Sequence, residues 1–202
     1  MKKILTFFAA LAISAVAFAQ SPDGLKIGAG LSVNPYTYNP SGDWEPKATD
    51  GYHIFASYPF VISEVSSVAV GLRWEQTFNY KEIMKVRDTY TRGFISLPVK
   101  YEAHFGGFFI NAGPTFSFWT LFKDTISNNG SKVVVNKFDK SQDGDQLNRF
   151  DVALGAEIGY DWRHFRLSVG YDYGLIKGVK TSAKPIVNFN RQDLRFSVAY
   201  IF

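Results

Sequence analysis

The chain predicts an all-β fold, an eight-stranded antiparallel up-and-down transmembrane β-barrel, and three observations lead there. Eight segments alternate apolar residues with small or charged ones at period 2. The connections between them alternate between short and long. The chain opens with the pattern of an export signal.

In residues 1–19, Lys2 and Lys3 form a basic start, residues 4–16 an apolar stretch, and Ala17-Phe18-Ala19 a small-x-small cleavage pattern, so the mature barrel domain is expected over residues 20–202. No later window holds the ~20 apolar residues of a spanning helix, so membrane crossing must be by strands. With no cysteine anywhere, neither a lipid-carrying cysteine nor a disulfide framework is available. Losing Lys2 and Lys3 takes the formal charge from +4 to +2, and no basic run or aromatic-basic module points to nucleic acid. The 19 Phe, 11 Tyr, 4 Trp and 17 Gly against 2 Met favour strands and interfacial aromatic belts over helices.

In order, strands are expected at 25–33, 52–62, 68–80, 90–102, 108–118, 150–162, 165–173 and 191–202. The third is the clearest, with Val68, Val70, Leu72, Trp74, Phe78 and Tyr80 on one face, interrupted by Gln76, and Ala69, Gly71, Arg73, Glu75, Thr77 and Asn79 on the other. Pro59, Pro98 and Pro114 each remove a ladder hydrogen bond and should fall at bulges, strand ends or weakly paired positions. Connections are long at 34–51, short at 63–67, intermediate at 81–89, short at 103–107, long at 123–148, two residues at Arg163-His164, and long at 174–190. Short turns at one rim and long loops at the other match an outer-membrane barrel, with turns periplasmic and loops extracellular.

A soluble eight-stranded barrel would turn its apolar face inward. Residue size separates the two. Small residues are interleaved with charges on one face (Gly28, Gly30, Ser32; Ala69, Gly71; Gly155, Gly159; Ser168, Gly170), as a narrow lumen requires, while the bulky groups stand on the other. Phe55 and Val61 are the exceptions, on the interior parity.

The chain resembles the small outer-membrane β-barrel family of Bacteroidota, the PorT-like group, and more distantly the OmpX and OmpA barrels. The residues behind this are the signal, Ser96-Leu97-Pro98-Val99-Lys100-Tyr101, Asn111-Ala112-Gly113-Pro114, Leu154-Gly155-Ala156-Glu157-Ile158-Gly159-Tyr160 and the terminal aromatic. The resemblance implies outer-membrane location and recognition of the final strand, through Phe196, Tyr200 and Phe202, by the barrel-assembly machinery. It also raises a role as an accessory component of envelope protein secretion.

The inner parity carries Lys26, Arg73, Glu75, Lys100, Glu102, Asp151, Glu157, Asp161, Arg166, Asp172, Asp193 and Arg195. Charges confined in so narrow a lumen must pair, which predicts a salt-bridged, closed interior; an ion path or a small passive channel is the alternative. The histidines do not converge: His104 and His164 fall in short turns, and only His53 approaches the extracellular rim, with no serine two residues along its own face. No catalytic residue, cofactor or metal is expected. Lys177, Lys180, Lys184 and Arg191 in the last loop, and Lys132, Lys137 and Lys140 in the third, are candidates for contact with lipopolysaccharide phosphates or an envelope protein partner. The expected role is a non-catalytic structural, adhesive or assembly-accessory surface protein.

Overall fold

The computed structural model describes residues 24–34, 49–83, 86–128, 131–136, 148–176 and 190–202. Residues 1–19, assigned to the signal, lie outside them. Nine strands are present among the described residues: β1 Lys26–Asn34, β2 Thr49–Ser63, β3 Ser66–Ile83, β4 Val86–Phe105, β5 Phe108–Asn128, β6 Ser131–Asn136, β7 Phe150–Trp162, β8 Phe165–Gly174 and β9 Gln192–Ile201. Every pairing is antiparallel, and eight of the strands form a closed ring, β1-β2-β3-β4-β5-β7-β8-β9. Closure is made by β1 against β9, from Lys26↔Ile201 to Val33↔Leu194. The sixth strand lies outside the ring. It pairs with β5 from Lys123↔Asn136 to Asn128↔Ser131, above the point where β7 leaves β5 at Phe118↔Phe150.

The alternation expected from sequence is realised along the barrel wall. Burial in β8 switches at every residue, and Leu167 is 55% exposed beside Arg166 at 4%. Bulky apolar side chains therefore face outward and charged or small ones inward, the reverse of a soluble barrel. On the outer face, aromatic residues collect toward the turn end (Phe105, Phe108, Trp162, Phe165, Phe202) and toward the other rim (Tyr52, Phe78, Phe118, Tyr171, Tyr173), with aliphatics such as Leu31, Ile158 and Val169 between. Tyr52 Oη donates to Gln76 Oε1 at 3.2 Å and Tyr171 Oη to Gln192 Oε1 at 3.0 Å. Gln76, which interrupts the apolar stripe, thus stands where the outer face changes from hydrocarbon to water.

The third to fifth strands run well past that boundary. A tilted strand of ~9–11 residues crosses a bilayer, whereas β4 has 20 residues and β5 has 21. Residues 81–89, read as a connection, belong mostly to β3 and β4, which pair as far as Ile83↔Val86. Likewise the loop expected at 123–148 contains the end of β5 and all of β6. The third to sixth strands form a sheet projecting above the barrel, and the seven residues from 77 to 83 alone extend it about 23 Å along the strand at the usual ~3.3 Å per residue.

The prolines fall where donors are not demanded. The β3–β4 ladder stops at Val70↔Val99 and resumes at Arg73↔Ser96, leaving Pro98 in the interruption. Pro114 lies in a second one, between Pro98↔Thr115 and Tyr101↔Ala112. Pro59 pairs with Ala69 of β3, but the β1 ladder ends at Ser57, so no β1 partner is recorded opposite it. Phe55 does face inward, its ring filling space that a Cβ at Gly28 would occupy 2.7 Å away. Val61, on the same parity near the turn end, is 54% exposed.

Two hairpins at the short-turn rim need left-handed backbone. Gly106 adopts φ 64°, with nothing within 4 Å of where its Cβ would be, and Arg163 adopts φ 55°. Because space around Gly106 is open, only its backbone conformation resists substitution. Gly106→Val should therefore lower barrel stability in urea unfolding by about 1–2 kcal/mol, while Gly106→Asn should be nearly neutral.

Candidate functional site in the barrel interior

The inward positions of eight strands bring charged side chains together in tiers. Nearest the turn end, Glu102 of β4 receives Lys26 Nζ from β1 at 2.9 Å and both terminal nitrogens of Arg166 from β8 at 2.8 and 3.0 Å. His104 Nε2 lies 3.0 Å from the same carboxylate, and Asn111 Nδ2 donates to it at 3.4 Å. The Arg166 guanidinium also makes a two-pronged contact with Asp161 at 2.6 Å for both bonds, and its Cζ lies 3.6 Å from the Phe109 ring centroid. A planar fork saturated on two carboxylates and stacked on an aromatic face has little freedom left.

The middle tier centres on Asp172 of β8, whose side chain is fully buried. Arg73 Nη2 of β3 and Arg195 Nη1 of β9 reach Oδ2 at 2.9 and 2.8 Å, and Lys100 Nζ of β4 reaches Oδ1 at 3.1 Å. The third and eighth strands stand opposite each other, four strands apart either way round the ring, so Arg73–Asp172 spans the lumen. Lys100 Nζ also donates to Gly113 O at 2.9 Å and Gly155 O at 3.1 Å, meeting a carbonyl at the interruption in the β4–β5 ladder. Glu75 Oε2 stands 3.6 Å from Arg73 Nε.

The third tier lies toward the long-connection rim. Here Arg191, just ahead of β9, contacts Asp151 Oδ2 through Nε at 2.9 Å and Asp193 Oδ2 through Nη1 at 3.1 Å. Arg191 was expected among the exposed basic residues of the last loop. That reading is corrected: it is 2% exposed and paired inside the barrel, because the chain has already entered the wall at this residue, with Gly174 N donating to Arg191 O at 2.7 Å. Lys177, Lys180 and Lys184 lie outside the described residues, as do Lys137 and Lys140.

Small residues make room for this network. A Cβ on Gly155 would fall onto Asp172 Oδ1, and one on Gly30 would lie 2.6 Å from the His53 ring. Among the described inward groups, seven cations (Lys26, Arg73, Arg92, Lys100, Arg166, Arg191, Arg195) meet seven carboxylates (Glu75, Glu102, Asp151, Glu157, Asp161, Asp172, Asp193). Glu157 lines a cavity of about 60 Å³ with His53, Arg73, Lys100, Glu102, Arg166, Arg195 and Ser197, room for about four water molecules.

The histidines are placed apart. Both ring nitrogens of His53 are engaged by hydroxyls, Nδ1 with Ser32 Oγ at 3.0 Å and Nε2 with Ser197 Oγ at 2.9 Å, and the residue is 1% exposed. These serines come from the strand beside His53 and the one beyond it, where reading along a single strand does not look. His164 sits in the two-residue turn, stacked on Tyr200 at 5.6 Å. No group of three metal-ligating side chains occurs among the described residues.

Removing Asp172 strands three cations, whereas removing Arg73 leaves Asp172 with two. Asp172→Asn should therefore cost the larger part of roughly 3–5 kcal/mol and Arg73→Met clearly less. The double variant should be less destabilised than the sum of the two, as a double-mutant cycle by urea unfolding in vesicles would show. Additive effects would mean the pair does not couple.

The comparisons agree with this architecture. Among solved structures, the chain is similar to Ail, the attachment invasion locus protein of Yersinia pestis, crystallised with the heparin analogue sucrose octasulfate: 13% identity, TM-score 0.54, 88% of this chain and 97% of that one. It is also similar to Neisserial surface protein A, at 19% identity and TM-score 0.51, covering 90% of this chain and 98% of that one. No curated protein matches it. The family model described as an outer membrane protein beta-barrel domain matches residues 18–178, most of the 202-residue chain. With its closed eight-stranded ring, inverted polarity and filled interior, the chain belongs to the outer-membrane β-barrel family.

Proposed function

We propose that the protein is a non-catalytic integral outer-membrane barrel with a lumen closed by its own ion pairs, acting at the cell surface as a structural, adhesive or assembly-accessory protein. The observation that carries this reading is the set of bridges through Asp172 and Glu102, which join strands across the interior instead of lining an open path. A closed barrel acts through what it presents outside, and here the β3–β6 sheet projects beyond the apolar band. Lys177, Lys180 and Lys184 occupy a connection with no acid between Gly174 and Gln192, suited to lipopolysaccharide phosphates.

A second reading is supported by Val133 and Val134 of β6, which are 57% and 50% exposed on that projecting sheet. Exposed apolar β-branched residues on a short outer strand suit a protein contact, consistent with an accessory role in envelope protein secretion of the PorT-like kind. The final strand fits an assembly signal: Phe196, Tyr200 and Phe202 face outward, and Phe202 N donates to Leu25 O at 3.0 Å beside the closing seam.

Copurification from native outer membranes, read by mass spectrometry, separates the two readings. Lipopolysaccharide alone supports the structural or adhesive role, and a stoichiometric envelope protein supports the secretion role. The purified barrel should carry no current in a planar bilayer; a steady single-channel conductance would overturn the closed-lumen reading. Deleting Phe202 should lower the heat-modifiable folded band without blocking export, and unchanged levels would remove its role in assembly. In intact cells, labelling should reach Lys137 and miss His104.

A further inference from the structure

Three aromatic side chains stand inside the long-connection mouth of the barrel. Phe94 of β4 and Trp119 and Phe122 of β5 are 1%, 4% and 8% exposed. Their rings form one run, with Phe94–Trp119 centroids 5.4 Å apart and Trp119–Phe122 centroids 6.2 Å apart. A guanidinium closes each end: Arg191 Cζ lies 4.7 Å from the Phe94 centroid and Arg92 Cζ 4.8 Å from that of Phe122. Arg191 enters from the β9 wall, directly opposite β4 in the ring, so the run crosses the mouth from wall to wall.

A local irregularity makes this possible. Gly93 pairs with Leu121, but the next residue of β4, Phe94, pairs with Trp119, leaving Thr120 as an extra residue. Such a bulge reverses the alternation. Below it the inward residues of β5 are odd-numbered up to Trp119, and above it Phe122 turns inward, so two large rings three residues apart share one side. Thr120 Oγ1 holds the bulge by donating to Gly93 O at 3.1 Å.

We propose that this arginine-capped aromatic run is a lid that seals the lumen at the long-connection mouth, excluding water and solutes from the ion pairs beneath. Ring faces supply an apolar cover, and each arginine gains cation–π attraction that strengthens as water leaves. The next inward pair down the β4–β5 ladder is Ser96↔Ser117, each 1% exposed, with hydroxyls 2.8 Å apart. The seal is separate from the closure by ion pairs, since the rings carry no charge and stand above the Asp172 tier.

The chain contains no cysteine, so a single introduced thiol reports access without background. Ser117→Cys would be prepared in the purified, heat-modifiable barrel in detergent micelles, where both mouths face solvent, and exposed to a charged methanethiosulfonate reagent. With the lid intact it should react slower than exposed Lys123→Cys by an order of magnitude or more. Adding Trp119→Ala, or Phe122→Ala if the first variant does not fold, should bring the rate close to that control. Trp119→Phe should keep the site protected, and so should Lys26→Met at the opposite mouth. Free reaction with the lid intact, continued protection in both alanine variants, or opening by Lys26→Met would each overturn the lid. The measurement does not depend on membrane orientation or surface partner, so its failure is distinguishable from failure of the surface-protein reading.

Discussion

A backbone that crosses hydrocarbon must satisfy every peptide group within the protein, because lipid offers no partner. In this chain the requirement is met by pairing β1 with β9, which removes both edges of the sheet. The rest of the interior follows. Eight strands enclose a space wide enough for side chains and little else, so each inward position must be small or must find a partner. That is why glycines such as Gly155 and Gly30 sit beside Asp172 and His53.

The buried charges are organised by carboxylates that serve several cations at once. Three cations converge on Asp172, and two with a histidine converge on Glu102. Exposed ion pairs are individually weak, but a buried carboxylate already taken from water depends on each of its partners. The balance of cations and carboxylates keeps the cost of enclosing so many charges in check. Lys100 illustrates the economy, since one ammonium serves Asp172 and carbonyls of Gly113 and Gly155.

The strands were legible because the barrel wall separates lipid from a crowded lumen, and that contrast imprints period 2 on the residues. Where the contrast ends, legibility ends. Past the long-connection rim the period-2 signal fades, so β3 beyond Tyr80, β4 before Tyr90, the end of β5 and all of β6 read as loop. At Thr120 the bulge breaks the alternation, which is why the fifth strand seemed to stop at Phe118 and the inward turn of Trp119 and Phe122 went unread. Parity told which charges share the interior, but not that Asp172 and Glu102 would be the points of convergence, since strand stagger and side-chain reach are set by closure. Arg191 looked like its lysine neighbours because its partner Asp151 is forty residues away in sequence.

The Arg73–Asp172 pair ties the β3 wall to the β8 wall across the full width of the cylinder. A thin-walled tube under uneven side pressure first flattens into an ellipse, a deformation that strand pairing within the wall resists poorly because neighbouring strands need only hinge slightly. A transverse brace acts directly on that mode, since flattening along its line compresses it and flattening across its line stretches it. The interior of this protein therefore works to keep the cylinder round, and a circular cross-section keeps the projecting sheet at a fixed attitude while the surrounding lipid packs and shifts.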